Sequence, residues 1–245
     1  MKKKVIKNLL ILKWKIKYFL RVVLKKNIQF EISEIDYYRL VNNEKLSVII
    51  QIGSNDGLKN DPLNKIIKNS KSNVFLIEPD PINFKKLCNN IRKYPMMRES
   101  FIKTFNIGIT EVDDLLPFYR ISNITEDDPD WYDQVGSFDE NTFDMNISVI
   151  ENLNKRKEIV ELNTLSFENF CINNGIKSVD FLHVDTEGYD YKILQTIDFN
   201  KYNVKIILFE ADWMKCYELR LITQKLQVLG FEIYKYGIDM LCIRK

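Results

Sequence analysis

Short apolar runs rich in β-branched residues recur along the chain at regular intervals. The run Val48-Ile49-Ile50-Gln51-Ile52 ends at a glycine, which is typical of a strand buried on both faces of a parallel sheet. The same pattern predicts strands at residues 48–53, 74–78, 104–109, 179–185, 204–210, 231–236 and 239–244. Helical stretches are predicted between them, at residues 60–70, 81–93, 165–174, 189–196 and 216–229.

This alternation of strands and helices predicts an α/β fold, a Rossmann-like and mostly parallel sheet with helices on both faces. The last two strands are joined only by Tyr236-Gly237-Ile238, so we expect an antiparallel C-terminal hairpin. The sequence contains neither internal repeats nor a low-complexity linker. It therefore predicts one domain over residues 28–245, with a short helical lead-in at residues 28–47.

The regular pattern stops between residues 121 and 154. This insert carries nine acidic residues and no lysine or arginine, together with the aromatic residues Trp131, Tyr132, Phe138 and Phe143. Long insertions in compact domains are usually functional loops or disordered surface, and the aromatic residues argue against disorder. We expect a lid over an active site; a solvated acidic loop is the alternative.

The N-terminal segment differs in charge from the rest of the chain. Net charge is +2 over 245 residues, but residues 1–30 hold ten lysines or arginines and no acid. Apolar residues alternate there at steps of four and three, which predicts a basic amphipathic helix over residues 1–27. Such a helix binds an anionic membrane surface, so we hypothesise peripheral membrane contact through residues 1–26. Docking on its own domain or on a partner is the alternative.

The remaining composition restricts the classes of function. The rest of the chain is acidic, which disfavours nucleic acid as a partner. Four widely spaced cysteines give no disulfide or zinc signature, and the single histidine excludes a histidine-rich metal site. We therefore expect a cytoplasmic protein, at most peripheral at the inner membrane surface.

A glycine turn follows the first predicted strand. The segment Gly53-Ser54-Asn55-Asp56-Gly57 has neither the G-x-G-x-x-G spacing of nicotinamide binding nor the phosphate-loop pattern. Its polar side chains are suited to face an amino-acid moiety. Glu78 follows Gly53 by 25 residues at the tip of the next apolar run, where doubly wound sheets hold ribose hydroxyls. Together they predict a nucleoside-containing ligand.

The segment 181–188 supplies a second group of polar residues. Strand alternation places His183 and Asp185 on one face, and Asp185 and Glu187 at the carboxyl end of the strand, where ligands bind in parallel sheets. Asp185, Glu187 and His183 are therefore the candidate catalytic residues. The alternatives are an N-cap role for Asp185 and a hydrogen-bonded core histidine at His183. Glu210 ends the next strand and adds another acid at this edge.

Taken in order, these motifs resemble the FkbM family of S-adenosylmethionine-dependent methyltransferases. The matching stretches are residues 51–57, 60–63, 77–81, 106–109, 136–138, 185–190 and 209–210. The resemblance implies a class I methyltransferase fold and S-adenosylmethionine as the cofactor. It places the cofactor's methionine part on residues 53–57, its ribose on Glu78 and its adenine between Asn106 and Ile107, with the acceptor facing Asp185 and Glu187.

Relatives of this kind act on small molecules or glycans, so the expected reaction is O-methylation of a hydroxyl on a sugar, glycan or other small molecule. Asp185 is the first candidate for the base, followed by His183 or Glu187. Two acids at one edge could instead hold a divalent metal that orients the acceptor. A non-catalytic, membrane-associated nucleoside-binding domain is the alternative from another class. Nucleic-acid methylation is weaker still, because no N-P-P-Y-like segment follows the fourth strand.

Overall fold

The computed structural model describes residues 31–95 and 101–245. The helix predicted over residues 1–27 and the membrane contact predicted for residues 1–26 lie outside these ranges. Within them, no helix is both long enough and apolar enough to cross a membrane.

Strands and helices alternate over much of the chain, as the apolar pattern predicts, but β3, β4 and β5 follow one another without a helix. The strands are β1 (Val48–Ile52), β2 (Asn73–Ile77), β3 (Ile102–Phe105), β4 (Gly108–Thr110), β5 (Leu115–Ile121), β6 (Gly136–Ser137), β7 (Lys157–Ser166), β8 (Phe181–Val184), β9 (Ile206–Glu210), β10 (Phe231–Tyr236) and β11 (Asp239–Arg244). The α-helices are α1 (Glu34–Asn42), α2 (Asn64–Asn69), α3 (Pro81–Ile91), α4 (Glu140–Asp144), α5 (Leu153–Arg156), α6 (Phe167–Asn173), α7 (Asp190–Thr196) and α8 (Cys216–Val228). Two short 3₁₀ helices, Tyr132–Gln134 and Met145–Ser148, lie in the insert.

Seven strands form the main sheet, in the order β10-β11-β9-β8-β1-β2-β3. The five strands from β9 to β3 are parallel to one another. Strand β11 runs antiparallel to both β9 and β10, which confirms the predicted C-terminal hairpin. The parallel order brings the carboxyl ends of β2, β1, β8 and β9 to one edge of the sheet, where open α/β sheets bind ligands.

Helices cover both faces of this sheet, as predicted. Ile50 and Leu182 pack in a buried cluster with Phe170 of α6 and residues of α7 and α8. Ile49 points the opposite way, into a second cluster with Tyr37 of α1 and residues of α2 and α3. Burial on both faces explains why β1 and β8 read as continuous apolar runs rather than as alternating ones.

A second sheet was not predicted. It has four strands in the order β4-β7-β5-β6, and its longest pairing joins β5 antiparallel to β7 from Leu115↔Asn163 to Ile121↔Lys157. The prediction of one strand over residues 104–109 is therefore wrong. Asn106 and Ile107 break this segment into β3, which joins the main sheet, and β4, which joins the second sheet.

The insert at residues 121–154 carries short helices and a small buried cluster of its own. Ile121, Tyr132, Val135, Phe143 and Leu153 pack together there. Its two ends are held side by side because β5 enters the insert and β7 follows it, and these two strands pair with each other.

Candidate functional site

One cavity of about 580 Å³ opens at the carboxyl ends of β1, β2 and β8. This volume lies within the range of roughly 300–1,000 Å³ that is usual for small-molecule sites. Seven residues proposed from the sequence line it: Gly53, Ser54, Asn55, Glu78, His183, Asp185 and Glu187. The fold thus brings together groups that are up to 134 positions apart in the chain.

Gly53 allows the turn after β1 to touch the end of β8. Its φ is +80°, and a Cβ atom at this position would lie 1.7 Å from the backbone carbonyl oxygen of Asp185. Only glycine tolerates both the left-handed backbone and this close approach. The turn and Asp185 are therefore in direct contact, and a ligand on the turn also lies beside Asp185.

Two of the polar side chains of the turn hydrogen-bond to the backbone. Ser54 borders the cavity, but its hydroxyl donates to the Gln51 carbonyl at 3.2 Å and accepts from the Ile77 amide at 3.1 Å. Asp56 does not line the cavity, and one of its carboxylate oxygens accepts from two backbone amides of residues 58 and 59. The turn itself uses these hydrogen bonds, so contact of the Ser54 and Asp56 side chains with a ligand stays a prediction. Asn55 is the exception: within the described residues its Oδ1 is buried without a hydrogen-bond partner.

Glu78 lies at the tip of β2, as predicted, with its side chain in the cavity wall. Its two carboxylate oxygens accept from the backbone amides of Asp80 and Asn55, each at 2.8 Å. Burial raises the pKa of Glu78 to about 8, although both hydrogen bonds act in the opposite direction. A buried carboxyl with lone pairs left over is suited to accept from hydroxyl groups of a ligand.

Three other residues proposed for cofactor binding, Gly57, Asn106 and Ile107, are not part of the cavity lining. Gly57 packs against Leu87, which a Cβ atom would approach to 2.7 Å. Asn106 donates from Nδ2 to the backbone carbonyls of Glu78 and Pro79, while Ile107 packs on the core. Neither residue lines the cavity, whereas Ile109 of β4 does, so the placement of Asn106 and Ile107 on the adenine stays a prediction. The two hydrogen bonds of Asn106 hold the end of β2 in place.

Asp185 has a carboxylate to which none of the described residues donates a hydrogen bond. The N-cap position of the helix α7 is Tyr189, and Oδ2 of Asp190 accepts from the amide and hydroxyl of Thr186. The N-cap alternative for Asp185 is thus excluded. Burial, followed by the nearby carboxylate of Asp61, raises the pKa of Asp185. A buried carboxylate of this kind is a stronger base than an exposed one.

His183 is less suited to take a proton. Its side chain is 2% exposed, and burial lowers its pKa to about 3. Nδ1 is buried without a partner among the residues described, so His183 is not the hydrogen-bonded core histidine of the alternative reading. Gln51 is the neighbour of His183 on strand β1, but its Nε2 donates to Asp61 at 3.2 Å rather than to His183.

Glu187 lies two residues after Asp185 in the same loop, with a left-handed φ of 50°. Its Oε2 accepts from Nε1 of Trp213 at 3.0 Å. Burial and then the charge of Asp185 raise its pKa, so the two acids compete for one proton. Trp213 was not singled out from the sequence, although it follows the acid that ends β9.

The second sheet and the insert supply the outer wall of the cavity. Arg120 of β5 donates from Nη1 to both carboxylate oxygens of Asp80, at 3.2 and 3.1 Å, and from Nε to Glu158 at 2.9 Å. Asp133 of the insert accepts from Lys59 and Lys86. Arg120 was not proposed from the sequence. The feature that could have indicated it is its position as the last lysine or arginine before the insert, which contains neither.

A metal ion has less support than an organic cofactor. Across residues 31–95 and 101–245, no group of three or more histidine, cysteine or acidic residues is arranged to hold a metal. A divalent metal therefore remains only a prediction. The glycine turn, the free Asn55 amide oxygen and Glu78 instead fit a nucleoside that carries an amino-acid moiety.

Comparison with known proteins gives the family. Residues 51–233 match the methyltransferase FkbM domain. The fold is similar to that of methyltransferase FkbM from Methylobacillus flagellatus KT, with a TM-score of 0.51 and 13% identity over 81% of this chain and 43% of that one. The chain thus spans less than half of that protein.

Two further structures are more distant. The N-terminal domain of human METTL16 in complex with SAH gives a TM-score of 0.43 at 10% identity, over 86% of this chain and 68% of that one. Precorrin-6y C5,15-methyltransferase from Geobacter metallireducens GS-15 gives 0.41 at 11% identity, over 89% and 90%. No curated protein matches the sequence. Because the family match spans most of the chain, this protein belongs to the FkbM family of S-adenosylmethionine-dependent methyltransferases.

Proposed function

We propose that this enzyme transfers a methyl group from S-adenosylmethionine to a hydroxyl oxygen of a sugar, a glycan or another small molecule. The observation that carries the proposal is the contact between the Gly53 turn and Asp185. This contact supports the proposal because the glycine turn, as the proposed cofactor site, would lie next to a residue whose buried carboxylate receives no hydrogen bond from the described residues. An alcohol needs such a base, because its oxygen is a weak nucleophile until its proton is removed.

The residues that would hold the cofactor follow from the cavity wall. Gly53 gives close access to the backbone, and the unpaired Oδ1 of Asn55 is available to accept from an ammonium group. Glu78 is placed to accept from ribose hydroxyls. When bound, S-adenosylmethionine supplies an activated methyl group on a positively charged sulfur.

Asp185 is the proposed base. It takes the acceptor's hydroxyl proton as the new C–O bond forms and the C–S bond breaks, so charge is conserved. Positioned base catalysis of this kind contributes roughly 10²–10⁴-fold to a rate. Glu187 is the second choice because Trp213 already donates to it. His183 is the third choice because burial lowers its pKa and so opposes its protonation.

Several features favour an acceptor that is not a polyanion. Each of the three cations in the cavity lining already has an acidic partner: Lys59 and Lys86 bind Asp133, and Arg120 binds Asp80. A phosphate backbone would have to compete with these acids. We therefore propose a small-molecule or glycan acceptor and expect no nucleic acid substrate.

Calorimetric titration with S-adenosylmethionine tests the cofactor assignment. Wild type should bind, and Glu78→Ala should bind roughly 5- to 150-fold more weakly, the value of two neutral hydrogen bonds of about 0.5–1.5 kcal/mol each. Glu161→Ala is the control, because Glu161 is exposed on β7. Equal affinity of Glu78→Ala and the control would remove Glu78 from the ribose site.

Two further proposals have separate tests. Peripheral membrane contact through residues 1–26 predicts that the full chain sediments with anionic vesicles and that a chain lacking residues 1–26 does not. Metal dependence predicts loss of turnover on chelation, with recovery on adding Mg²⁺. Unchanged turnover in the presence of the chelator would show that the enzyme does not require a metal ion.

A further inference from the structure

Four carboxylates form an acidic basin beside the cavity, on the side of β9 and β11. They are Glu187, Asp190, Glu210 and Asp239. Glu210 ends β9 and is the direct strand partner of Asp239 on β11. Glu187 also lines the cavity and so joins the basin to it.

The basin has unmet hydrogen-bonding capacity in its interior. Glu210 is 7% exposed and Asp190 is 1% exposed. Nevertheless, Oε2 of Glu210 and Oδ1 of Asp190 have no hydrogen-bond partner among the described residues. Buried carboxylate oxygens are normally paired, so unpaired ones indicate a missing ligand or a functional strain.

The basin also lacks a positive charge. In the described parts of the chain, no lysine or arginine forms an ion pair with any of its four acids. Burial raises the pKa of Glu210 well above its usual range, and the charges of Asp185, Glu187, Asp190 and Asp239 raise it further. A cationic ligand would relieve this repulsion.

The cofactor does not account for the basin. The residues proposed to hold the cofactor follow β1 and β2, whereas β9 and β11 lie on the other side of β8, one and two strands beyond it. At about 4.8 Å between neighbouring strands, Glu210 lies roughly 5 Å and Asp239 roughly 10 Å beyond β8. The glycine turn contacts the Asp185 backbone from the side of β1, so an acceptor bound on the side of β9 would lie next to Asp185 without meeting this turn.

We propose that the acceptor carries a protonated amino group, which binds to Glu187 and Glu210 and presents a neighbouring hydroxyl to Asp185. An amino sugar or a similar amino alcohol has this chemistry. An ammonium group offers three N–H donors to separate carboxylates, whereas these acids are not grouped to ligate a metal within the described residues. The proposal rests on the O-methyltransferase function proposed above and specifies its substrate class.

Two sugars that differ in one charge provide the test. D-glucosamine and N-acetyl-D-glucosamine are compared by ligand-observed NMR titration on the full chain loaded with S-adenosylhomocysteine. Glucosamine should bind at least about tenfold more tightly, as expected for a charged hydrogen bond. Glu210→Gln should abolish the preference, and the control Glu161→Gln should retain it. Equal affinity of the two sugars, or binding of neither, would overturn the proposal.

Additional measurements separate this proposal from a structural role and from failure of the parent function. Glu210→Gln should raise the melting temperature at pH 8, because it removes one of the crowded charges; Asp239→Asn should do the same. A lower melting temperature in both variants would indicate a merely structural role. Calorimetry with S-adenosylmethionine on the same samples tests the parent function. Normal cofactor binding without a preference for the ammonium group refutes only this inference. Displacement of glucosamine by millimolar Mg²⁺ would also overturn it, because it would show that the basin binds a metal ion instead.

Discussion

Asp133 joins the insert to the body of the enzyme across the cavity. Its carboxylate accepts from Lys59 at 3.2 Å and from Lys86 at 2.7 Å, and its backbone carbonyl accepts from Nδ2 of Asn83 at 2.7 Å. Lys59 follows the glycine turn, while Asn83 and Lys86 belong to α3. Opening the cavity on this side requires these bonds to break, so we predict that Asp133→Asn accelerates release of a bound cofactor product.

The magnitude follows from the exposure of the ion pairs. The lysine side chains are 40% and 39% exposed and Asp133 is 17% exposed, so solvent weakens both attractions. Half-exposed pairs contribute about 0.2–1 kcal/mol each, which gives about 0.4–2 kcal/mol for the two. This corresponds to a roughly 2- to 30-fold faster dissociation rate. The backbone bond from Asn83 remains in the variant, so the insert should stay folded.

Stopped-flow displacement of S-adenosylhomocysteine measures this rate. The matched control is Asp128→Asn, since Asp128 also lies in the insert and binds Arg156 at 2.7 Å but does not line the cavity. Raising the salt concentration should accelerate release from wild type and have little effect on Asp133→Asn. Equal dissociation rates in Asp133→Asn and Asp128→Asn would refute the reasoning.

Three other predictions concern the site. Gly53→Ala should abolish cofactor binding in calorimetry, because its Cβ would lie 1.7 Å from the Asp185 carbonyl oxygen. The control is Gly175→Ala, because Gly175 has a similar positive φ but no atom within 4 Å of the added Cβ. This variant should lose roughly 1–2 kcal/mol of stability and still bind the cofactor. Equal binding by the two variants would contradict the close approach at Gly53. Asp185→Asn should bind cofactor but lose roughly 10²–10⁴-fold in turnover. Burial raises the pKa of Asp185 to about 6, and only the ionised carboxylate accepts a proton. Wild-type turnover should therefore fall as the pH drops through this value. Turnover that does not change with pH in this range would exclude Asp185 as the base. Arg120→Met should lower the free energy of unfolding by roughly 1–3 kcal/mol in urea denaturation, because Asp80 loses its ion pair. An unchanged denaturation midpoint would show that this ion pair does not stabilise the fold.

The main sheet could be predicted because its strands are buried on both faces. The segment from Val48 to Ile52 is apolar at four of its five positions, and such a run has few alternatives to a central parallel strand. Strands β5 and β7 had no such signal. Most of their positions are exposed or half-buried, and β5 contains Pro117. Their stability comes from pairing across about 40 residues of sequence, which no local pattern contains.

The site divides in the same way. The sequence alone determined that Gly53, Glu78 and Asp185 meet, because residues at the carboxyl ends of neighbouring parallel strands share one edge of the sheet. It could not show that the hydroxyl of Ser54 is consumed by the backbone, since a hydrogen bond to Ile77 depends on strand register.

Only the tertiary structure decided what closes the cavity. Arg120 comes from the second sheet and Asp133 from the insert, and both find their partners at least 38 residues away along the chain. The acidic basin likewise exists only after β9 and β11 pair and bring Glu210 beside Asp239. Apolar periodicity records how each segment faces the core, so it predicts the sheet. The electrostatic environment of a carboxylate depends on neighbours that folding brings from distant segments, and it could therefore be read only from the folded protein.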